Sequence, residues 1–474
     1  MIIIKKISII LMTTIIMGCV DVTARAEQGP QTIPLTAQAA VLIERSTGKT
    51  LYGKDENRGM YPASMTKIMT AMIALDYIKP EEFIVLGEEL RQAPVGSSVA
   101  YHKVGETILF ENLLRGLLIQ SGNESACAIA LNVAKRSKNV EDMDYDEAEK
   151  VFCDLMNNKA ASLGAKNTHF ANPHGFHEEN HYSSARDIAL FCREFMNNPL
   201  LSEIVSEKSF IGSGAGINYP EGSLTQEYNW ESHNNLIKDG DEYYYSYANG
   251  IKTGFTSEAG NCLAASAQKD KIQLISVVFN SPEPGHWNDT KALFEYGFNN
   301  YGFRVIQSGK TFLEELVIDN PRLGEDKTLE VFSAKEFTQF LSDDEFSRIV
   351  RKITYNPDLL ADNPDEELIA DVTIIKPPID MNQLLGTVTY SLDNTVLFED
   401  DIVSTKDVLV RTRQSDIIYY WKSFKSTAFT EKYLPYWIGG AALVVGFIIL
   451  MITLSVRRRR RSNSFSRYHF RSTL

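Results

Sequence analysis

The chain has 474 residues, 44% of them hydrophobic, and its 61 acidic side chains outnumber 48 basic ones to give a net charge of −13. That supplies core for two domains after terminal segments are set aside, and argues against a disordered chain. The acidity argues against nucleic-acid binding, the more so because a short basic tail leaves the remainder more acidic still.

Lys5-Lys6, the apolar run Ile7 to Met17 and Ala24-Arg25-Ala26 follow the order of a secretory signal. Residues 1–26 are therefore expected to be removed, leaving a mature start near Glu27. Ile16-Met17-Gly18-Cys19 also resembles a lipoprotein cleavage box. Lipidation of Cys19 ranks second, because it would duplicate an anchor at the other end.

Met65, Ile68, Met69, Met72 and Ile73 recur at helical spacing and predict a helix with one buried face, entered through Pro62 and Ala63. Ser64 and Lys67 then lie one turn apart on its first turn. Similar strings at Ser46 to Lys49, Ser266 to Lys269, Ser137 to Asn139 and Ser232 to Asn234 show that spacing alone proves little. A serine hydroxyl needs an adjacent base, and Lys67 is the candidate. Lys67 serves only if desolvation or a second cation lowers its pKa, and Lys252 is the candidate cation. A helix-start serine with a solvated lysine is the plain alternative.

Ser121-Gly122-Asn123 falls between Leu109, Leu113, Leu114, Leu117, Leu118 and Ala126, Ile129, Ala130, Val133, which predicts a tight inter-helix loop. Such a loop presents Ser121 as a proton relay and Asn123 as a hydrogen-bonding partner for a substrate amide. Helix capping by either side chain is the alternative, compatible with catalysis. Cys127, Cys153, Cys192 and Cys262 match no metal spacing and read as buried free thiols, with a disulfide left open. His174 and His177 beside Gly175 read as structural.

Ile251 to Thr256 reads as a strand, followed by apolar strands Leu263 to Ala267 and Ile272 to Phe279 joined around Lys269-Asp270. Lys252, Gly254 and Thr256 share one face, so the bare Gly254 admits a substrate backbone while Lys252 holds a carboxylate. A solvated edge lysine is the alternative.

Residues 304–412 shift to short β-rich runs, Glu315 to Ile318, Thr328 to Phe332, Leu368 to Ile375, Leu385 to Tyr390 and Thr395 to Leu397, and predict a smaller second domain. Its acidic clusters, Asp343-Asp344-Glu345 and Asp362 to Glu367, read as solvated loops rather than metal sites. Ile417 to Trp421, Phe424 and Phe429 predict an amphipathic, membrane-grazing stalk over 413–435. The uncharged stretch 436–456, about 30 Å as a helix, predicts a transmembrane segment. Tyr433, Tyr436 and Trp437 would band the interface, and Arg457 to Arg461 would keep residues 457–474 cytoplasmic.

Taken in order, Ser64-Met65-Thr66-Lys67, Ser121-Gly122-Asn123 and Lys252-Thr253-Gly254 resemble the motifs of the D-alanyl-D-alanine carboxypeptidases, the low-molecular-mass penicillin-binding proteins. The likeness covers most of residues 33–300. It extends to a hairpin-like Ala40 to Ile43 with Thr47 to Tyr52, to Tyr61-Pro62-Ala63, and to Asn172-Pro173-His174-Gly175-Phe176. Asn249-Gly250 and Tyr296-Gly297-Phe298 continue it.

The resemblance implies an α/β, β-lactamase/transpeptidase-like catalytic domain over 33–303, an antiparallel sheet flanked by helices, with 304–412 as a spacer. It implies that Ser64, Lys67 and Ser121 carry acyl transfer, cleaving the terminal D-alanine from peptidoglycan stem peptides ending in D-Ala-D-Ala. Asn123, Lys252, Thr253, Gly254, Phe255 and His286 would bind substrate, and the N–H groups of Ser64 and Phe255 would form the oxyanion hole. β-Lactams would acylate the same serine, the cell membrane would be the other partner, and no metal or organic cofactor is required. His286 stands where many relatives carry an arginine for the substrate carboxylate, which predicts weaker, more pH-sensitive binding. A serine β-lactamase, a D,D-endopeptidase and a silent peptidoglycan-binding scaffold are the competing readings.

Overall fold

The computed structural model describes residues 33–215, 220–361 and 372–468. The expected signal segment, Cys19 and the acidic run Asp362 to Glu367 lie outside them. The chain divides after Tyr301 into two units.

The first unit opens with the hairpin β1 (Ala39–Glu44) and β2 (Thr50–Lys54). A 3-10 turn, Ala63–Thr66, then leads into α1 (Lys67–Tyr77). β3 (Phe83–Val85), β4 (Thr107–Leu109), α2 (Phe110–Leu118), α3 (Asn123–Lys138), α4 (Tyr145–Ser162), α5 (Ala185–Phe195) and α6 (Pro199–Ser206) follow. The hairpin β5 (Ser209–Ser213) and β6 (Glu227–Glu231) precedes β7 (Ala248–Thr256), β8 (Gly260–Lys269), β9 (Ile272–Ser281) and α7 (Gly285–Asn300).

An antiparallel sheet runs β2-β1-β9-β8-β7, so the first hairpin pairs with the last strands, Val41 opposite Val277. Every residue of β1 is buried, because both faces of the sheet are covered. Ala39, Val41 and Ile43 join the large core shared with α1, α2, α3 and α5. Leu42 faces the other way, where a Cβ on Gly297 of α7 would lie 2.9 Å from it. Each large apolar side chain fully buried here contributes roughly 1.5–3 kcal/mol.

The apolar periodicity of α1 predicts one buried face, yet every residue from Lys67 to Ala74 is buried. This helix is central: α2, α3, α4 and α5 all pack on it, and the small residues Thr70, Ala71 and Ala74 admit neighbours on its remaining face. Burial of the whole helix is what takes the Lys67 amine out of water.

β10 (Tyr301–Gln307) starts at the boundary, and the second unit carries β11 (Phe312–Ile318), β12 (Thr328–Phe332), β13 (Phe337–Ser342), α8 (Asp343–Ser347) and β14 (Val350–Tyr355). β15 (Ile374–Ile375), β16 (Leu384–Leu392) and β17 (Thr395–Val403) complete its strands, and a sheet runs β14-β16-β17-β12-β11-β15. Asp343-Asp344-Glu345 form the first turn of a short helix rather than a loop. Ser342 and Glu345 make a reciprocal capping box, and the carboxylates meet the positive end of the helix.

α9 (Arg413–Ala428) and α10 (Leu434–Tyr468) end the described chain. The span Leu434–Arg459 is long and apolar enough to cross a membrane, with a mean hydropathy of 2.4. The helix continues through the arginine block. Cys127, Cys153, Cys192 and Cys262 are buried free thiols.

Candidate active site

Ser64 sits in the 3-10 turn ahead of α1, so the α-helix begins at Lys67, three residues later than the apolar pattern suggests. Ala63 adopts a left-handed φ of 47°, which breaks the helix before Ser64. The turn still brings Lys67 Nζ to 3.0 Å from Ser64 Oγ. Lys67 Nζ also donates to Asn123 Oδ1 at 2.6 Å and to the His174 carbonyl at 3.0 Å.

Burial holds the Lys67 pKa well below its ordinary value, and the positive Lys252 adds to that, against opposing pulls from Glu124 and Cys127. A neutral amine has two protons and one lone pair. Asn123 Oδ1 and the His174 oxygen are pure acceptors and take both protons, which leaves the lone pair for the Ser64 hydroxyl. The geometry is that of a base poised on its nucleophile.

Ser121, at a left-handed φ of 61°, and Asn123 are both buried. Gly122 N–H donates to the Gly116 carbonyl and Asn123 N–H to the Ser98 carbonyl, which pins the loop. Neither side chain caps α3; its N-cap is Gly122, without a side-chain bond. Lys67 takes one acceptor position of the Asn123 carboxamide oxygen, and the NH₂ group on the same carboxamide is a donor suited to a carbonyl oxygen.

β7 is an edge strand, and its open edge lies along the Ser64 turn. A Cβ on Gly254 would stand 2.9 Å from the Pro62 oxygen and 3.2 Å from the Ser64 nitrogen, so the approach requires glycine. Lys252 is 2% exposed, donates to the Thr253 carbonyl at 3.0 Å, and has its pKa pushed down to about 7 by burial. It is not the solvated edge lysine. Thr253 is half-buried, and the Phe255 side chain points outward, 66% exposed.

The loop from Asn172 to Ser183 was not legible as part of the site. It holds the nucleophile turn at four points. Thr70 Oγ1 donates to the Pro173 carbonyl at 2.5 Å, and the His174 carbonyl receives Lys67. Gly175, at φ 83°, passes so close to Ala63 that a Cβ would fall 1.8 Å from its oxygen. His181 Nδ1 accepts the Ala171 N–H, so its proton lies on Nε2 and is donated to Thr66 Oγ1 at 2.8 Å. The available signal was Gly175 within Asn172 to Phe176. The His174 contribution is a main-chain oxygen, which side-chain patterns do not reveal.

His286 lies at the start of α7, 4% exposed, against the Trp287 ring, with Nδ1 3.5 Å from a Glu283 carboxylate oxygen. Burial lowers its pKa, and the Glu283 and Asp289 carboxylates oppose this. Its described contacts run to these neighbours, whereas Ser64, Lys67 and Asn123 meet directly and Gly254 borders Ser64.

A buried amine aimed at a serine, beside an edge strand carrying a second buried lysine, is an arrangement suited to serine acyl transfer. The family model described as D-alanyl-D-alanine carboxypeptidase matches residues 23–283. D-alanyl-D-alanine carboxypeptidase DacF of Bacillus subtilis is 30% identical over 410 residues, covering 84% of this chain and 94% of the relative. DacD of Escherichia coli is 29% identical over 337 residues, covering 69% and 78%. Penicillin binding protein 5 from Haemophilus influenzae superposes with a TM-score of 0.54 at 25% identity, covering 81% of this chain and all of that one (100%). The Streptomyces K15 DD-transpeptidase gives 0.50 at 27% identity, covering 56% and 99%. The chain belongs to the D-alanyl-D-alanine carboxypeptidase family, and its fold is the transpeptidase-like α/β fold expected from the motifs.

Proposed function

We propose that Ser64 removes the terminal D-alanine from peptidoglycan stem peptides through an acyl-enzyme, within the serine-type D-Ala-D-Ala carboxypeptidase activity of this family. The observation that carries the assignment is the 3.0 Å approach of Lys67 Nζ to Ser64 Oγ, with both amine protons engaged elsewhere. Ser64 Oγ attacks the carbonyl carbon of the D-Ala-D-Ala bond and Lys67 takes its proton. The N–H groups of Ser64 and Phe255 receive the developing oxyanion. Ser121 passes the proton to the leaving nitrogen, and D-alanine departs. Water then attacks the ester, gives its proton to Lys67, and Ser64 is regenerated. Asn123 Nδ2 holds a substrate carbonyl, while Lys252, Thr253 and His286 hold the terminal carboxylate. Gly254 leaves room for the peptide backbone along β7. Penicillins acylate the same serine.

The apolar helix supports a single membrane anchor. We assign residues 33–303 to catalysis, 304–412 to a spacer and 413–435 to the membrane surface, with the catalytic unit outside and the arginines inside. The exposed Ile417, Tyr420, Trp421 and Phe424 of α9 support the surface placement.

The test uses the full chain in detergent, with intact mass followed after mixing with penicillin, beside Ser64→Ala, and D-alanine release from a D-Ala-D-Ala peptide. A lasting adduct confined to the wild type, with D-alanine released, is expected. Rapid drug turnover without peptide cleavage would mean a β-lactamase, and neither signal a silent scaffold. Protease protection in sealed vesicles tests the orientation.

A further inference from the structure

The Ser121–Asn123 loop rests on a buried polar chain that the mechanism above does not use. The His102 side chain is fully buried and lies between two elements. Its Nε2 is 3.0 Å from Ser125 Oγ, on the first turn of α3 just past Asn123, and its Nδ1 is 2.8 Å from Tyr228 Oη on β6. Tyr228 gives its single proton to Glu106, whose carboxylate also takes a proton from Gln226 Nε2.

The direction of the chain follows from the donor count. The Tyr228 oxygen has spent its proton on Glu106, so it accepts Nδ1–H of His102. Nε2 then carries the lone pair and accepts the Ser125 hydroxyl. Burial keeps the imidazole neutral, as the chain requires.

The Ser125–His102 bond fills a notch under the loop. A Cβ on Gly122 would fall 2.5 Å from Ser125 Oγ, and one on Gly116 would fall 2.9 Å from His102 Nε2 and 3.1 Å from Ser125 Oγ. Gly116 also receives the Gly122 N–H, and Gly122 separates Ser121 from Asn123. The neighbouring strap is tied to the same turn: the Ser98 carbonyl accepts the Asn123 N–H, and Glu124 accepts the Ala100 N–H at 2.6 Å. Trp230 Nε1 on β6 holds the Ala100 carbonyl at 3.0 Å.

We propose that His102 is a positioning residue for the acyl-transfer reaction, fixing the Ser125 hydroxyl beneath Gly122 so that Asn123 stays on Lys67 and Ser121 stays in the cleft. This rests on the reading of Ser121 and Asn123 given above. His102 touches no substrate; it acts through Ser125. A cavity-filling role would ask only for bulk, whereas this role asks for an acceptor at the Nε2 position.

That difference is testable, because a glutamine amide reaches the Nε2 position of histidine and an asparagine amide only the Nδ1 position. In the full chain, D-alanine release from a D-Ala-D-Ala peptide is expected to keep its kcat within about twofold in His102→Gln. In His102→Asn and Ser125→Ala kcat falls about tenfold, with KM within about twofold. Equal kcat in His102→Gln and His102→Asn, or a wild-type kcat in Ser125→Ala, overturns the proposal. Ser125→Ala keeps the test decisive if His102→Asn fails to fold. An unimpaired Asn123→Ala overturns the assignment of the loop itself. An impaired Asn123→Ala beside a fully active Ser125→Ala overturns the His102 proposal alone.

Discussion

Asn123 and Lys67 are joined by a 2.6 Å hydrogen bond from amine to carboxamide oxygen, and this bond fixes where the amine lone pair points. The oxygen is neutral, so it orients Lys67 without supplying the full negative charge that would retain its proton. Asn123→Asp would place a carboxylate at that position and favour the ammonium. The acid limb of penicillin acylation is expected to move to higher pH in Asn123→Asp, with the rate at neutral pH down about tenfold or more. Acylation rates followed by mass across pH check this, and an unshifted limb would remove Lys67 as the base.

Lys252 acts on Lys67 through its charge, so removing it should shift the same limb. Lys252→Met deletes a positive neighbour and raises the proton affinity of Lys67, moving the acid limb upward. The stability effect has the opposite sense to the activity loss. Lys252 has a native pKa of about 7 against 10.5 when unfolded, so the unfolded chain binds more protons between those values. The wild type therefore gains stability as pH rises from 7 towards 10.5, and it is most penalised at and below 7. Lys252→Met is expected to be more stable by on the order of 2–4 kcal/mol near pH 7, with the gap closing by pH 10. Urea unfolding at both pH values measures it, and a variant less stable at pH 7 would contradict the burial argument.

Gly254 sets the distance between β7 and the nucleophile turn. In Gly254→Ala the new methyl meets main-chain atoms of Pro62 and Ser64, which have no flexible end to yield. The strand must retreat by several tenths of an ångström, at a cost of about 1–2 kcal/mol in stability. Catalysis suffers more, because the substrate would lie between the displaced edge and Ser64. A fall in kcat/KM of about a hundredfold is expected by steady-state D-alanine release. An unimpaired variant would show that the peptide does not run along this edge.

The three motifs were legible because each pairs a reactive side chain with a local pattern: the helix stripe at Ser64, the paired leucine and alanine runs around Ser121, the alternation at Lys252. The sheet that unites them was not, since Val41 pairs with Val277 across most of the unit and no local periodicity encodes that register. The full burial of α1 escaped for a related reason. An apolar stripe marks what must be buried, while Thr70 and Ala74 are small enough to be buried or exposed. The Ala63 break hid the 3-10 turn, because a positive φ at alanine leaves no trace in composition. The contribution of His174 escaped too, being a carbonyl oxygen. In the second unit, Asp343 to Glu345 looked like a loop until Ser342 closed the capping box.

His286 offers the last prediction, because its surroundings change what its chemistry allows. An arginine would carry charge at every working pH. Burial against Trp287 keeps this imidazole below its ordinary pKa, even with the Glu283 and Asp289 carboxylates facing it, so the ring is uncharged near neutral pH. A neutral ring contributes at most one donated hydrogen bond to the substrate carboxylate. On the acid side, protonation adds a positive charge, which Glu283 partly neutralises, and the peptide should bind more tightly. The expected outcome is a wild-type KM that is flat between about pH 7 and 8 and falls on the acid side. In His286→Arg, KM should be lower by about threefold to tenfold at neutral pH and insensitive to pH across the same range. Steady-state KM for a D-Ala-D-Ala peptide from pH 5 to 8 decides it, with kcat as the internal control. If KM and its pH profile are the same in both proteins, the substrate carboxylate is held by Lys252 and Thr253 without His286.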